Sequence, residues 1–188
     1  MLLTGDEYAA QDLEFTVANK VSFIVNCAGK QVANHWEPIG VTYLTFAWQD
    51  VDSQTILDAK DRNANDTFQF IERGLALGES VLVHSLKGQS RSSCVLVAYL
   101  MRKYRWTLLK TLEFLNSRRP NLEMRASFIH QLAAYESRLL RKPQAAYSSK
   151  WTEVFEGSGK SVFENEELLL RNTYLNSQAG PPANVRFG

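Results

Sequence analysis

The sequence predicts an α/β fold in which a central, mostly parallel and twisted sheet is flanked by helices. Three short runs rich in β-branched and apolar residues are typical of buried strands, and they lie at 21–27, 41–48 and 80–84. Stretches with apolar residues at helical spacing precede, separate and follow these runs. Strands that alternate with helices favour a parallel sheet, because consecutive parallel strands need the crossover connection that a helix supplies.

The first half of the chain is predicted to contain one helix and two strands. Residues 6–19 are rich in helix formers, and apolar residues recur there at helical spacing: Ala10, Leu13 and Val17. The run at 21–27 (VSFIVNC) is followed by Ala28-Gly29, as expected for a strand that ends in a turn. The run at 41–48 (VTYLTFAW) is the second strand. The acidic stretch at 50–61 has no clear periodicity, so a loop is predicted.

The second half is predicted to contain the third strand and four helices. Their bounds are, in order, a helix ending at Gly78, a strand at 80–84 and helices at 92–104, 108–117 and 126–141. The helix at 92–104 is almost entirely apolar, which is typical of a helix at the centre of a fold. Thr107 is predicted to cap the next helix, which ends before Pro120. The final helix is predicted to bury four residues: Phe128, Ile129, Leu132 and Tyr135.

Residues 1–142 are predicted to form one domain, and 143–188 a C-terminal extension that is partly docked or flexible. The total of 188 residues suits one domain with an appendage, since domains usually have about 100–200 residues. After residue 142, Ser, Asn, Gly and Pro interrupt short aromatic and leucine patches. Trp151 and Phe155 in these patches favour docking, because segments that stay disordered usually lack such residues.

Composition excludes several classes of function. The net charge is 21 − 20 = +1, so no basic field favours nucleic acid as a partner. No apolar run approaches the roughly 18 residues of a membrane-spanning helix, and the start does not resemble a signal peptide. Cys27 and Cys94 are too few for a disulfide scaffold. We therefore expect a cytoplasmic or nuclear protein. Its three histidines share no metal-ligand spacing, so neither a metal nor a cofactor is expected.

One segment combines the residues of an anion-binding site. A strand ends at His84, a loop with Gly88 at its centre follows, and an apolar helix begins near Ser92. The N–H groups of such a loop and the positive end of the helix dipole can bind one oxyanion. Arg91 adds a planar guanidinium that can bind two phosphate oxygens. The 84–92 loop is therefore predicted to bind a phosphate monoester dianion.

The motif in this loop resembles that of a known family. The segment His84-Ser-Leu-Lys-Gly-Gln-Ser-Arg-Ser92 resembles the His-Cys-x-x-Gly-x-Ser-Arg-Ser loop of dual-specificity phosphatases, in the protein tyrosine phosphatase superfamily. The segment Tyr43–Asp50 (YLTFAWQD) resembles the one that carries the family's general acid. Residues 117–120 (SRRP) and 128–132 (FIHQL) resemble its closing helices. The resemblance covers the predicted domain and implies the fold of these cysteine phosphatases.

The resemblance also implies roles for individual residues. Ser85 stands at the position of the nucleophile, Asp50 at that of the general acid, and Arg91 binds phosphate. Ser92 would assist departure of the nucleophile from phosphorus. Apart from the resemblance, His84 is expected to support the loop by hydrogen-bonding behind it. The loop residues whose amides would bind phosphate are Leu86, Lys87, Gly88, Gln89 and Ser90. The implied ligands are proteins or peptides phosphorylated on tyrosine, serine or threonine.

Ser85 is the departure that matters most for mechanism, because the family has cysteine there. The positive field of such a loop can lower a thiol pKa from about 8.5 to about 3.5–7.5. A serine hydroxyl does not ionise in that field and needs a base. His84 is not expected to be that base, since neighbouring side chains at a strand end point to opposite faces. The loop is therefore expected to bind phosphate and to hydrolyse its ester very poorly.

Several interpretations stay open on the sequence. Serine could be an engineered replacement of the cysteine or the natural residue of a pseudophosphatase that binds phosphoproteins, and a scaffold whose extension covers the loop is a third interpretation. Asp52 would replace Asp50 as the acid if the register shifted by two. Many family members have Pro-Asn where this chain has Met124-Arg125, in the loop that steadies the acid. Arg125 could weaken that contact or extend a basic rim.

Overall fold

The computed structural model of the chain describes residues 1–120 and 122–140, so the predicted extension lies outside the described residues. Four strands form one parallel sheet in the order β1-β4-β2-β3. The strands are β1 (Leu2–Gly5), β2 (Val21–Asn26), β3 (Thr42–Thr45) and β4 (Ser80–His84). The helices are α1 (Glu7–Gln11), α2 (Leu13–Ala18), α3 (Arg62–Ala76), α4 (Arg91–Tyr104), α5 (Leu108–Arg118) and α6 (Ala126–Leu140). The predicted α/β fold class is confirmed.

Helices cover both faces of the sheet, because successive strand residues point to opposite sides. On β2, Ile24 belongs to a small core on the side of α1 and α2. Its neighbours Phe23 and Val25 belong to the larger core, which α3, α4, α5 and α6 complete. Helix α4 is buried from its first residue through Met101 and packs against α3, α5, α6 and β4. This is the central position that its apolar sequence predicts.

The N-terminal helical region differs from the prediction of one helix over 6–19. The chain forms two short helices, and Asp12 stands between them with an extended backbone (φ −83°, ψ 108°). The Asp12 carboxylate accepts a hydrogen bond from the Phe15 N–H at 3.0 Å. Aspartate competes in this way with the backbone bonds of a continuing helix, and it therefore favours a cap over an interior position.

Two strands also differ from the sequence-based expectation. Strand β1 was not predicted, because three partly buried residues followed by the buried Gly5 give too short a pattern at the chain start. It pairs in parallel with β4, and this places Gly5 opposite His84. Strand β3 is shorter than the predicted 41–48 run. Beyond its end, the rings of Phe46 and Trp48 stack with their centroids 3.9 Å apart, so their apolar surfaces pack against each other outside the sheet.

The start of α5 is held by two side chains. Thr107 accepts a hydrogen bond from the Lys110 N–H at 3.2 Å, which confirms the predicted cap. The carboxylate of Glu136, buried in α6, accepts the Leu108 N–H at 2.8 Å. Burial raises the pKa of Glu136, while this hydrogen bond acts in the opposite direction.

Within the described part of the chain, no helix combines the length and apolar character needed to cross a membrane.

Candidate active site

The 84–92 loop leaves the carboxyl end of β4 and enters α4 at the central part of the sheet. Ligands of open α/β sheets bind at this edge. The Oγ atoms of Ser85 and Ser92 lie 3.1 Å apart, so the two ends of the loop meet. The Ser93 hydroxyl donates to the Gly88 carbonyl oxygen at 3.3 Å. The segment therefore curls into a closed loop, as an anion-binding site requires.

Gly88 has a conformation and surroundings that suit glycine. Its φ is +68°, in the left-handed region that side chains disfavour. A Cβ atom there would lie 2.6 Å from the Gly5 carbonyl oxygen and 2.6 Å from Nη2 of Arg119. Arg119 also donates from Nη1 to the Thr4 hydroxyl at 3.3 Å. Strand β1 and the end of α5 thus pack directly against the loop.

The backbone of the loop has free hydrogen-bond donors. Among residues 1–120 and 122–140, the N–H groups of Leu86–Ser90 find no acceptor. The Lys87 side chain is exposed, Gln89 is half-buried, and Gly88 is buried. The N-terminus of α4 adds its partial positive charge at the same place. These N–H groups can therefore donate to an anion, which is the role that the family resemblance implies for them.

Arg91, the first residue of α4, is buried, with 2% of its surface exposed. Its Nη1 donates to Oε1 of Gln31 at 2.7 Å and to the Trp48 carbonyl oxygen at 2.8 Å. Its Nε is buried and has no hydrogen-bond partner in the described part of the chain. Burial lowers the pKa of Arg91, and the Asp50 carboxylate opposes that shift. Because arginine stays protonated in proteins, the loop holds a buried cation with an unpaired donor.

In the described part of the chain, no basic side chain forms a hydrogen bond with Ser85. The residue is 2% exposed, and the hydrogen bond of its hydroxyl in the described residues is the one shared with Ser92. His84 is 1% exposed, and burial lowers its pKa to about 4, although Asp6 and the Ser85 backbone act in the opposite direction. Neither ring nitrogen has a partner at hydrogen-bonding geometry within residues 1–120 and 122–140.

The hydrogen bond expected from His84 to the back of the loop stays a prediction. Neither ring nitrogen meets hydrogen-bond geometry within the described residues, yet the Ser85 backbone lies close enough to oppose the lowering of the His84 pKa. The imidazole is enclosed at the end of β4, in a strand whose residues are all buried. His84 also does not contact the Ser85 hydroxyl through a hydrogen bond, in line with opposite side-chain directions along a strand. The neutral imidazole fills space behind the loop.

Asp50 is the acid that reaches the loop. Its Oδ1 accepts a hydrogen bond from the Ser90 hydroxyl at 3.0 Å, and its side chain is 36% exposed. The Asp52 side chain is 77% exposed and lies near Arg125 and Ser127. Of the two acids that the sequence offers, Asp50 therefore lies at the mouth of the loop and Asp52 lies farther out. The Asp50 carboxyl thus lies beside the loop, where the resemblance places the general acid, and its role as proton donor stays a prediction.

Arg125 binds this acidic segment. Its Nε donates to Oδ1 of Asp50 at 2.7 Å, and its Nη1 donates to Oδ1 of Asp52 at 3.3 Å. The hydrogen bond with Asp50 is the main cause that raises the pKa of Arg125. We expected Arg125 to weaken the contact that steadies the acid or to extend a basic rim. Arg125 instead makes a steadying contact itself, because it forms ion pairs with both Asp50 and Asp52.

Arg125→Ala should therefore lower turnover in a Ser85→Cys background without unfolding the domain. We expect kcat to fall about three- to tenfold, a fraction of the roughly 10²–10⁴-fold that a general acid contributes. The melting temperature should change little, because exposed ion pairs contribute little to stability. Arg62→Ala, which removes the exposed pair with Asp58, is the matched control. Equal kcat for the Arg125 and Arg62 variants would contradict this role.

Two glutamines of the site carry no signal in the sequence. Gln131 accepts the N–H groups of Ile56 and Leu57 at 2.8 and 3.0 Å and so fastens the chain that follows the acidic segment. Gln31, in the polar turn after β2, accepts from Arg91. Gln131 lies within a stretch that resembles the family, but resemblance gave it no role. Gln31 lies in a segment without periodicity or motif, so its function depends on tertiary contacts.

Comparisons with known proteins agree with the fold and show the family. A family model described as the catalytic domain of dual specificity phosphatases matches residues 2–138. The protein phosphatase Slingshot of Drosophila melanogaster is 33% identical over 135 residues, which make up 72% of this chain and 12% of that protein. The protein phosphatase Slingshot homolog 3 of Mus musculus is 32% identical over 144 residues, 77% of this chain and 21% of that protein. The chain thus spans a small part of these relatives.

Solved structures give the same result. Human DUSP28 is 30% identical with a TM-score of 0.62, and the match covers 73% of this chain and 92% of that one. A mouse putative dual specificity phosphatase complexed with zinc tungstate is 29% identical with a TM-score of 0.65, covering 74% and 84%. A human tyrosine phosphatase-like serine/threonine/tyrosine-interacting protein is 25% identical with a TM-score of 0.67, covering 74% and 93%. By sequence and by fold, this chain belongs to the family of dual specificity phosphatase catalytic domains.

Proposed function

We propose that this chain binds phosphorylated protein or peptide in the 84–92 loop and hydrolyses the phosphoester extremely slowly because Ser85 stands at the nucleophile position. The observation that carries the proposal is the state of Arg91. Its guanidinium is almost completely buried, yet Nε has no partner in the described residues. A buried cation with an unpaired donor is costly for a folded protein, and a bound dianion would offset that cost.

The loop offers further donors to such a dianion. The unpaired N–H groups of Leu86–Ser90 and the N-terminus of α4 favour a compact oxyanion. Phosphate monoesters carry close to two negative charges at neutral pH and three oxygens that accept hydrogen bonds. Tungstate, named in the complex of the mouse relative, is likewise a tetrahedral oxyanion. These points support phosphorylated tyrosine, serine or threonine as the ligand.

Slow turnover follows from the chemistry of Ser85. Its hydroxyl shares a hydrogen bond with Ser92 and has no basic partner among the described residues. A serine without a base is a weak nucleophile, so the bound ester persists. A chain of this kind acts as a phosphoprotein-binding pseudophosphatase. The human relative described as phosphatase-like and interacting supports a binding role on this fold.

The test is isothermal titration of the chain with a phosphotyrosine peptide and with its unphosphorylated counterpart. We expect binding of the phosphorylated peptide alone, and Arg91→Ala should weaken it about 10- to 100-fold, the range of one charge-assisted contact. Arg91→Lys keeps the charge and should lose less. Arg62→Ala, a distant exposed arginine on α3, is the matched control. Thermal unfolding of each variant shows that the domain still folds.

Two results would refute the proposal. One is equal affinity for the phosphorylated and unphosphorylated peptides. The other is an affinity that Arg91→Ala and Arg91→Lys leave unchanged. Rapid release of inorganic phosphate from the peptide by the Ser85 chain would refute the part that concerns turnover.

A further inference from the structure

Gln31 is the side chain that orients the buried arginine. It lies in the turn after β2, where its N–H donates to the Ala28 carbonyl oxygen at 2.7 Å. Its Oε1 accepts from Nη1 of Arg91 at 2.7 Å, beside the bond from the same nitrogen to the Trp48 carbonyl oxygen at 2.8 Å. Both acceptors bind one end of the guanidinium. They leave the Nε edge, which is unpaired in the described residues, available to a ligand.

Both acceptors are neutral, and the Asp50 carboxylate acts on Arg91 only through its charge, without a hydrogen bond or an ion pair in the described residues. No carboxylate in residues 1–120 and 122–140 forms an ion pair with it. Asp50 is engaged with Arg125 and with Ser90. Burial raises the pKa of the nearby Cys27 thiol, which stays protonated. A second cation, Arg125, acts on Arg91 from the side of the acidic segment.

We propose that Gln31 is a positioning residue that aims Arg91 while leaving its full charge to the ligand, an inference that rests on the function proposed above. An amide oxygen fixes the guanidinium as well as a carboxylate oxygen would. A carboxylate would in addition neutralise the cation and compete with the incoming dianion. Compared with glutamate, glutamine at this position thus gives a less stable empty domain and a higher affinity for phosphate.

The experiment compares Gln31→Glu with Gln31→Ala, using inorganic phosphate as the probe in calorimetric titration and phosphate-free buffer for thermal unfolding. Gln31→Glu should weaken phosphate binding about tenfold, because it adds an ion pair that the ligand must displace. The same variant should raise the melting temperature of the empty domain by about 2–4 °C, since the buried cation gains a partner. Gln69→Glu, an exposed glutamine on α3, controls for the change in net charge.

Gln31→Ala should lower both quantities, with phosphate binding reduced about threefold by the looser guanidinium. The proposal is overturned if Gln31→Glu binds phosphate as tightly as the parent chain. It is also overturned if Gln31→Glu, like Gln31→Ala, lowers both the phosphate affinity and the melting temperature. If the parent chain and its Arg91→Ala variant bind no phosphate, the function proposed above fails. The melting temperatures then still decide the electrostatic role, because a Gln31→Glu value at or below that of the parent overturns it.

Discussion

Replacing Ser85 with cysteine is expected to raise the rate of aryl phosphate hydrolysis by roughly 10³–10⁶-fold, the scale of the loss when a catalytic nucleophile is removed. The loop already holds the buried Arg91 cation, the N-terminus of α4 and N–H groups that have no acceptor among the described residues. Such surroundings lower the pKa of a thiol and produce a thiolate at neutral pH. They do not activate a hydroxyl, and His84 is enclosed and unbonded to it.

The measurement is release of p-nitrophenol from p-nitrophenyl phosphate by the Ser85→Cys chain, with and without orthovanadate. Adding Asp50→Ala should remove roughly 10²–10⁴-fold of the gained rate, because the leaving oxygen would depart without a proton donor. Adding Asp52→Ala should cost much less, since Asp52 does not contact the loop. A Ser85→Cys chain that binds phosphate and releases no product would contradict the assignment of position 85.

Gly88→Ala is expected to disrupt both the fold of the loop and its ligand binding. The residue has φ +68°, and a left-handed conformation costs a residue with a side chain about 1–2 kcal/mol. The new Cβ would also lie 2.6 Å from the Gly5 carbonyl oxygen, so β1 and the loop must separate. We expect the melting temperature to fall by about 4 °C or more and phosphate affinity by at least about tenfold.

Gly78 provides a matched control for this experiment. Its φ is +76°, and a Cβ there meets no atom of residues 1–120 and 122–140 within 4 Å. Gly78→Ala therefore introduces the same backbone penalty without a steric clash and far from the loop. It should destabilise the chain less than Gly88→Ala and leave phosphate affinity unchanged. If the two variants were equal in both measurements, the close packing of Gly5 against the loop would be wrong.

Long and strongly patterned elements could be predicted from the sequence, and short ones could not. The strand at 80–84 and the central helix α4 have uniform apolar sequences, so burial alone indicates their place. Strand β1 has four residues and gains its stability from pairing with β4, which no local pattern reveals. The break at Asp12 arises because a side-chain cap competes with backbone bonds, and periodicity does not detect that competition.

The candidate site likewise contains residues that the sequence predicts and residues that only the structure reveals. The residues of the 84–92 loop and Asp50 were predicted because they lie in contiguous motifs that resemble the family. Arg125 was noticed as a departure, but its effect depends on the distance to Asp50, 75 positions earlier in the chain, and sequence gives no distance. Gln31 depends in the same way on contact with a buried arginine. Contacts that join remote segments are thus what the structure adds.

The position of α4 links events at the loop to the whole domain. One end of this helix carries Arg91 and the partial charge that favours an anion, while its body is enclosed by α3, α5, α6 and β4. Unfolding the domain therefore destroys the binding loop, and a ligand bound in the loop stabilises the folded domain. By mass action, a phosphorylated partner would raise the ratio of folded to unfolded chain by a factor of one plus the partner concentration divided by its Kd. A domain without turnover would thereby still sense the phosphorylation state of its surroundings.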